Sequence, residues 1–417
     1  MLFIYRLLIS FIILISPIII IFRLIKKKED LFRFKEKFCF FSKKKIKGHL
    51  FWFHGASVGE LQSIIPLLEK LEKNNKIKQI LITSNTLSSS KIIEKYTSKK
   101  IVHQFFPIDA NLLSKKFLNY WNPSLAFFID SEIWPNMLVN LKDKKIPIML
   151  LNGRITKKTF NRWKMMPNFS KKIFSKFNLC LSSSKESEIY LKNLGVKKVK
   201  FYGNLKFSQS ENEKISIDNN FKKFIKSKKT WCASSTHPTE EKICGLVHKK
   251  LKKKYKNLLT IIIPRHINRV NEINDELKKL DLKTHIHEPK KIIDKDTDIY
   301  IVNAYGKTKS FYNNSKNIFL GGSLINHGGQ NPLEATRYGC NVLHGPNISN
   351  FKEIYRFLQK NNISTEINNE KEMIVSLKKL FSKSNNSKKI QKKLNFIGKK
   401  IINKTYNEIN LLLKNEI

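Results

Sequence analysis

Short apolar runs rich in β-branched and aromatic residues recur from His49 onward, separated by stretches with helical periodicity. The first half carries HLFWFH (49–54), QILITS (79–84), IVHQFF (101–106), LAFFID (125–130), IPIMLLN (146–152), LCLSSS (179–184) and VKFYGN (199–204). A charged stretch at 209–228 interrupts the series and reads as a linker or an exposed helix. Five more runs follow: TWCASS (230–235), LLTIIIP (258–264), DIYIVN (298–303), NIFLGG (317–322) and NVLHGP (341–346). Strands and helices in alternation predict parallel sheets covered on both faces. Two such series in 417 residues, more than one core usually organises, predict an α/β fold of two doubly wound domains. The expected division is 1–25, 26–208 and 209–417, with the final helices packing back onto the N-terminal domain. Open sheets of this kind bind ligands beyond the carboxyl ends of their strands.

The N-terminus follows another pattern. Sixteen uncharged residues, LLISFIILISPIIIIF, lie between Arg6 and Arg23. As a helix they span ~24 Å against a hydrocarbon core of ~30 Å, and snorkelling of the flanking arginines closes the gap. Lys26-Lys27-Lys28 follows where a signal peptide would offer a small-residue cleavage site. The lysines after the span place that side in the cytoplasm. The expectation is an uncleaved single-pass anchor with a cytoplasmic body.

Charge changes the picture less than its size suggests. Of 79 basic residues only nine are arginine, and the formal net charge is +46. Base readout and bidentate phosphate clamping favour arginine, and the lysines are scattered along a chain also rich in Ile and Asn, so most of the charge reads as compositional drift, with a basic face toward an anionic membrane next and nucleic acid last. Cys39, Cys180, Cys232, Cys244 and Cys340 are odd in number and far apart, which indicates neither a disulfide framework nor a zinc site.

Candidate chemistry sits at the strand ends. Gly55-Ala56-Ser57-Val58-Gly59 fits the G-x-S-x-G elbow of serine hydrolases, while Ser57-x-x-Glu60 fits a capping box that Pro66, in the third turn, weakens. DSEIWPNML (130–138) puts Ser131 and Glu132 beyond a strand, beside a Trp134-Pro135 wall. GNLKF (203–207) presents Lys206 from a glycine turn. ASSTHPTEE (233–241) sets hydroxyls and His237 before a helix, and IIIPRH (261–266) ends a buried strand in Arg265 and His266, together a plausible anion site. In FLGGSLINHGGQNPLEA (319–335), Asn331 reads as a helix cap, Pro332 as the first helical position and Glu334 as the third. Two Gly-Gly pairs within nine residues there predict close approach of a ligand, such as a phosphate at the helix start with Glu334 on ribose hydroxyls.

HGASVGE, SEIWPN, GNLKF, STHPTEE, PRH and GGSLINHGGQNPLEA, in that order, resemble the signatures of the 3-deoxy-D-manno-octulosonate (Kdo) transferases from about residue 30 to about 351. The resemblance implies a GT-B glycosyltransferase of two Rossmann-like domains facing a cleft, an N-terminal acceptor domain and a C-terminal donor domain. It implies CMP-Kdo as donor, the lipid A precursor (lipid IVA) as acceptor, inversion at the anomeric carbon, and no required metal or cofactor. Family roles fall on Glu60 as general base and on Glu132 and Lys206 as transition-state stabilisers. Donor contacts fall on Pro264, Arg265, Gly306, Lys307, Thr308, Asn331, Pro332, Leu333 and Glu334, with Ser235, Thr236, His237, Gly322 and Ser323 as further contacts. Gly306-Lys307-Thr308 departs from the family's Gly-Glu-Leu, and SNTLSSS (84–90) is a loose version of a threonine-rich segment. Another GT-B nucleotide-sugar enzyme, a serine hydrolase built on Ser57, and a non-catalytic basic membrane- or RNA-binding protein are the alternatives.

Overall fold

Each expected apolar run forms a strand, because a run buried on both faces of a parallel sheet needs no polar alternation. The computed structural model describes residues 1–96, 98–209, 218–288, 291–304, 306–382 and 387–416. Contacts along the chain divide it into Met1–Gln209 with Ile397–Ile417 (unit 1) and Ser210–Phe396 (unit 2).

Unit 1 holds β1 (His49–His54), β2 (Ile77–Ser84), β3 (Ile101–Phe105), β4 (Leu125–Ile129), β5 (Ile148–Gly153), β6 (Leu179–Ser182) and β7 (Val199–Phe201). All pairs are parallel, in the order β3-β2-β1-β4-β5-β6-β7. The order reverses at β1/β4, where His54 pairs with Phe128. The core below that point is aromatic: Trp52, Phe117, Trp121 and Phe128 are fully buried. Unit 2 holds β8 (Lys229–Thr236), β9 (Leu258–Pro264), β10 (Thr284–Ile286), β11 (Ile299–Ile301), β12 (Asn317–Leu320), β13 (Asn341–His344) and β14 (Ser364–Glu366). Its order is β10-β11-β9-β8-β12-β13-β14, again parallel, and it reverses at β8/β12. Both reversals put a crevice beyond the carboxyl ends of the central strands.

The three-residue edge strands β10 and β14 lack an apolar run, so the pattern did not predict them. Part of the charged stretch, 210–217, lies outside the described residues; Asn219–Ile225 is a helix, capped by the Asp218 carboxylate, which accepts from Asn220 N–H.

Helix α1 (Leu2–Ile25) has the length and apolarity to cross a membrane. Its two ends are nonetheless both bonded to unit 1. Tyr5 Oη–H donates to Asp109 at 2.8 Å, and Arg6 donates to Asn136 and Asn111 at 3.0 and 3.2 Å. At the far end Arg23 meets the buried Glu29 at 2.6 Å, which also binds Lys37. Ser16 and Ile20 are buried on the same stripe. These bonds dock one stripe of α1 on unit 1, and most of the apolar helix expected from the sequence stays exposed. Hydropathy marks the helix but does not see the polar partners that Tyr5 and Arg6 find in the folded body.

Helix α2 (Val58–Glu72) corrects another expectation. It runs through Pro66, burying Leu61, Ile64, Leu67, Leu68 and Leu71. Proline removes one hydrogen bond, to the carbonyl of the exposed Gln62, where water can substitute.

Candidate active site

The carboxyl ends of β1 and β4 and the loop after β7 bring the expected residues of unit 1 together. Ser57 caps α2 in a complete capping box: its Oγ accepts from Glu60 N–H at 3.3 Å, and Glu60 accepts from Ser57 N–H at 3.4 Å. Glu60 also accepts from Ala56 N–H at 2.7 Å and from Ser57 Oγ–H at 2.7 Å. Ser57 is an ordinary extended cap (φ −109°), and Glu60 supplies all its side-chain partners among the described residues, so the elbow-and-histidine arrangement of a hydrolase is not built here.

Burial raises the pKa of Glu60 above the ordinary carboxylate value; the Ser57 hydroxyl pulls it back, and the charges of Glu132 and Asp130 push it further up. Asp130 ends β4 with left-handed backbone (φ +61°). Its carboxylate lies 3.8 Å from Lys206 Nζ. Burial raises Asp130 as well, against the pull of Lys206 and Arg154. Lys206 sits on a single 3₁₀ turn, Leu205–Ser208, fixed by Asn204 Oδ1 accepting from Lys206 N–H at 2.9 Å and Asn152 Oδ1 accepting from Leu205 N–H at 2.9 Å. Glu132 Oε2 accepts from Trp134 Nε1–H at 2.8 Å and faces His54 Nε2 at 3.0 Å. The tryptophan expected as a rigid wall is thus also a donor. Glu60 feels the charges of Glu132 and Asp130, and Lys206 faces Asp130, so the four side chains belong to one site. Sequence reasoning assigned no role to His54 or Asp130, although each lies at the carboxyl end of a strand beside the switch point.

In unit 2 the expected donor residues gather beyond β8, β9, β11 and β12. Arg265 N–H donates to the Thr236 carbonyl at 3.0 Å, joining the ends of β9 and β8. Pro264 is buried, whereas Arg265 and His266 are exposed. Gly306 (φ +74°), Lys307 and Thr308 lead into a helix, Thr308–Asn314, whose Tyr312 hydrogen-bonds Ser234 at 2.7 Å. His237 faces His327 with ring centroids 4.2 Å apart and His266 at 6.0 Å. Burial, then the neighbouring histidines and Arg265, lower His237 to about 4, so it is a neutral imidazole near pH 7. Ser235, within β8, has left-handed backbone (φ +57°).

The organising residue of this loop cluster is one that sequence reasoning passed over. Glu240 is buried and accepts from the N–H groups of His237, Gly322, Ser323 and Leu324, at 3.0, 2.7, 3.2 and 3.1 Å. The paired glycines, expected from the sequence to let a ligand approach, have packing reasons within unit 2 as well. A Cβ on Gly321 would lie 2.5 Å from the Ser235 carbonyl, and one on Gly328 2.6 Å from the Asn350 amide, with φ +96° besides. The helix after them is Leu333–Arg337, one residue later and shorter than expected, with Asn331 Oδ1 accepting from Leu333 N–H at 3.1 Å. Its five residues carry little dipole, so polar groups of the loops, not a helix terminus, are the donors available to an anion.

Residues 32–209 match the family model for 3-deoxy-D-manno-octulosonic-acid transferase (kdotransferase). A 3-deoxy-D-manno-octulosonic acid transferase of Rickettsia bellii is 32% identical over 387 residues, 92% of this chain and 91% of the relative. One from Haemophilus influenzae is 28% identical over 355 residues, 84% and 82% of the two chains. Among solved structures, a UDP-GlcNAc 2-epimerase from Neisseria meningitidis, bound to UDP-GlcNAc, aligns with TM-score 0.59 over 88% of this chain and 100% of that one. At 16% identity that likeness is one of fold. With motifs, strand ends and relatives in agreement along nearly the whole chain, the protein belongs to the Kdo transferase family of glycosyltransferases.

Proposed function

We propose that the chain transfers Kdo from CMP-Kdo to the lipid A precursor, lipid IVA, with inversion at the anomeric carbon and release of CMP. The observation that carries this reading is Glu60, a half-buried carboxylate of raised pKa at the start of α2, near Glu132, Asp130 and Lys206. An acceptor hydroxyl attacks the anomeric carbon from the face opposite the cytidylate. Its proton passes to Glu60, the bond to the phosphate oxygen breaks, and CMP leaves with the electron pair. Raising a carboxylate's pKa makes it a stronger base. Lys206 and Glu132 stabilise charge in the transition state. In unit 2, Ser235, Thr236, His237, Pro264, Arg265, Gly322, Ser323, Asn331–Glu334 and the Gly306–Thr308 turn hold the donor. Where the family has a glutamate, Lys307 offers a cation to the donor's negative charge.

A lipid acceptor requires the enzyme at a membrane. The face of α1 turned away from unit 1 exposes Phe3, Leu7, Phe11, Leu14, Ile18 and Phe22, with Lys26, Lys27 and Lys28 directly after. This suits seating on the cytoplasmic, anionic face of the inner membrane.

The test is CMP release with purified protein. Release that needs both CMP-Kdo and lipid IVA, with an inverted glycosidic linkage in the product, supports the reading. Release from CMP-Kdo alone would indicate hydrolysis, and turnover of UDP-GlcNAc would indicate an epimerase.

A further inference from the structure

His54 is the last residue of β1 and is fully buried, its ring stacked on Phe106 at 3.8 Å. Both ring nitrogens are engaged. Nδ1 lies 3.0 Å from Thr83 Oγ1 and 3.2 Å from the Thr83 carbonyl, and Nε2 lies 3.0 Å from Glu132 Oε2. The Thr83 hydroxyl accepts from Trp52 Nε1–H at 2.9 Å and has one proton to give, to Nδ1 or to the Phe53 carbonyl at 3.4 Å. If Nδ1 receives it, the neutral imidazole carries its own proton on Nε2. If Phe53 receives it, Nδ1 donates to the Thr83 oxygens, and the 3.0 Å contact of Nε2 with Oε2 still requires a proton between them, because two lone pairs at that distance repel. Either way a proton lies between Nε2 and Oε2. Trp134 Nε1–H is the second fixed donor to that same oxygen. Oε1 has no hydrogen bond among the described residues, so the two donors set the carboxylate's rotamer and leave one oxygen for substrate.

We propose that His54 is a positioning residue of the transfer reaction, acting through Nε2–H on Glu132. The proposal rests on the reading of Glu132 as a site residue. A buried histidine serving only the core would make the same stack on Phe106, and variants separate the two roles. His54→Phe keeps the stack and removes both nitrogens, whereas His54→Gln keeps an N–H within reach of Glu132. A hydrogen bond to a charged group corresponds to about a 10–100-fold change in rate when it orients that group. The expected result is a fall of that size in kcat for His54→Phe, with the KM for CMP-Kdo within a few-fold and most of the rate regained in His54→Gln. In a Glu132→Gln background, His54→Phe should add no further loss. An unchanged kcat in folded His54→Phe, additive losses in the double variant, or failure of both variants to fold would each overturn the proposal. The pairing has a readout independent of turnover: ¹⁵N-edited NMR should show a His54 Nε2-bound proton that shifts in Glu132→Gln, and no shift there overturns it. Wild-type protein inert toward CMP-Kdo would instead sink the transferase reading, and the intact NMR signature tells that failure apart.

Discussion

Three carboxylates within reach of one another cannot all ionise as cheaply as they would in water, and Glu60 carries the consequence. Its pKa is raised first by burial and then by Glu132 and Asp130, against the pull of the Ser57 hydroxyl. A general base works only when ionised, so kcat/KM should fall on the acid side with an apparent pKa above the ~4.3 of a free glutamate. Removing a neighbouring negative charge favours ionised Glu60, so Glu132→Gln should move that limb to lower pH in a pH–rate profile. A limb that stays put would show that another group titrates there. Glu60→Gln should lower kcat by about 10²–10⁴-fold. A carboxyl whose folded pKa is raised loses stability on ionising, so this variant's Tm at pH 7 should be unchanged or higher. Ser57→Ala, by contrast, should lower Tm through a lost cap of ~1 kcal/mol and leave most of the turnover. Much of this was legible in HGASVGE, because a capping box is local chemistry. The company Glu60 keeps was not, because Asp130 and Glu132 reach it only through the β1–β4 pairing.

At the scale of elements, the turn carrying Lys206 leans on the last helix, Ser387–Glu416. A Cβ on Gly398 would lie 2.7 Å from the Phe207 carbonyl and 2.8 Å from Ser208 Cα. Tyr202 and Lys200 reach Glu408 of the same helix at 2.5 and 2.7 Å. Overpacking of this kind costs about 1–3 kcal/mol and shifts backbone. Gly398→Leu should therefore reduce kcat more than the fall in Tm explains, by displacing Lys206; normal kcat with a lowered Tm would confine the helix to a stabilising role. In unit 2, Asp298 is buried, which opposes its charge, yet bonds from His248, Lys252 and the Lys283 N–H hold it well below the usual carboxylate range. Its contribution is therefore present above the unfolded value of ~3.9 and is lost as pH falls through the folded value. Asp298→Asn should destabilise by ~2 kcal/mol at pH 7 in thermal melts, with the gap to wild type closing in strong acid. The strands were readable as apolar runs, while β10 and β14, three polar-leaning residues each at sheet edges, had no run to read.

For the whole molecule, the attachment of α1 decides how the protein meets a membrane. Deleting residues 1–25 removes the Tyr5 bond to Asp109 and the Arg6 bonds to Asn111 and Asn136. The truncated protein should melt at a lower temperature, and it should sediment less with anionic vesicles than the full-length protein, because the exposed apolar face of α1 is lost while Lys26, Lys27 and Lys28 remain. Equal sedimentation would deny α1 a membrane role. Its placement along unit 1 makes a sharper forecast. Single cysteines at Phe3 and Lys27 should both react with an impermeant thiol reagent from the cytoplasmic side of inverted vesicles. Labelling of the Phe3 variant only from the opposite side would instead show a single crossing.

By itself, the sequence determined the parallel α/β character of both halves, the apolar N-terminal helix, and the strand-end motifs whose order marks a Kdo transferase. These follow from periodicity and local caps, which act over a few residues. Only the tertiary structure decided that His54 and Trp134 hold Glu132, that Asp130 faces Lys206, and that Glu240 gathers four N–H groups from two loops. It also decided that α1 lies on unit 1 and that the paired glycines answer to packing. Each of these joins groups far apart in the chain, and no local pattern records a distance that closing the sheet alone sets.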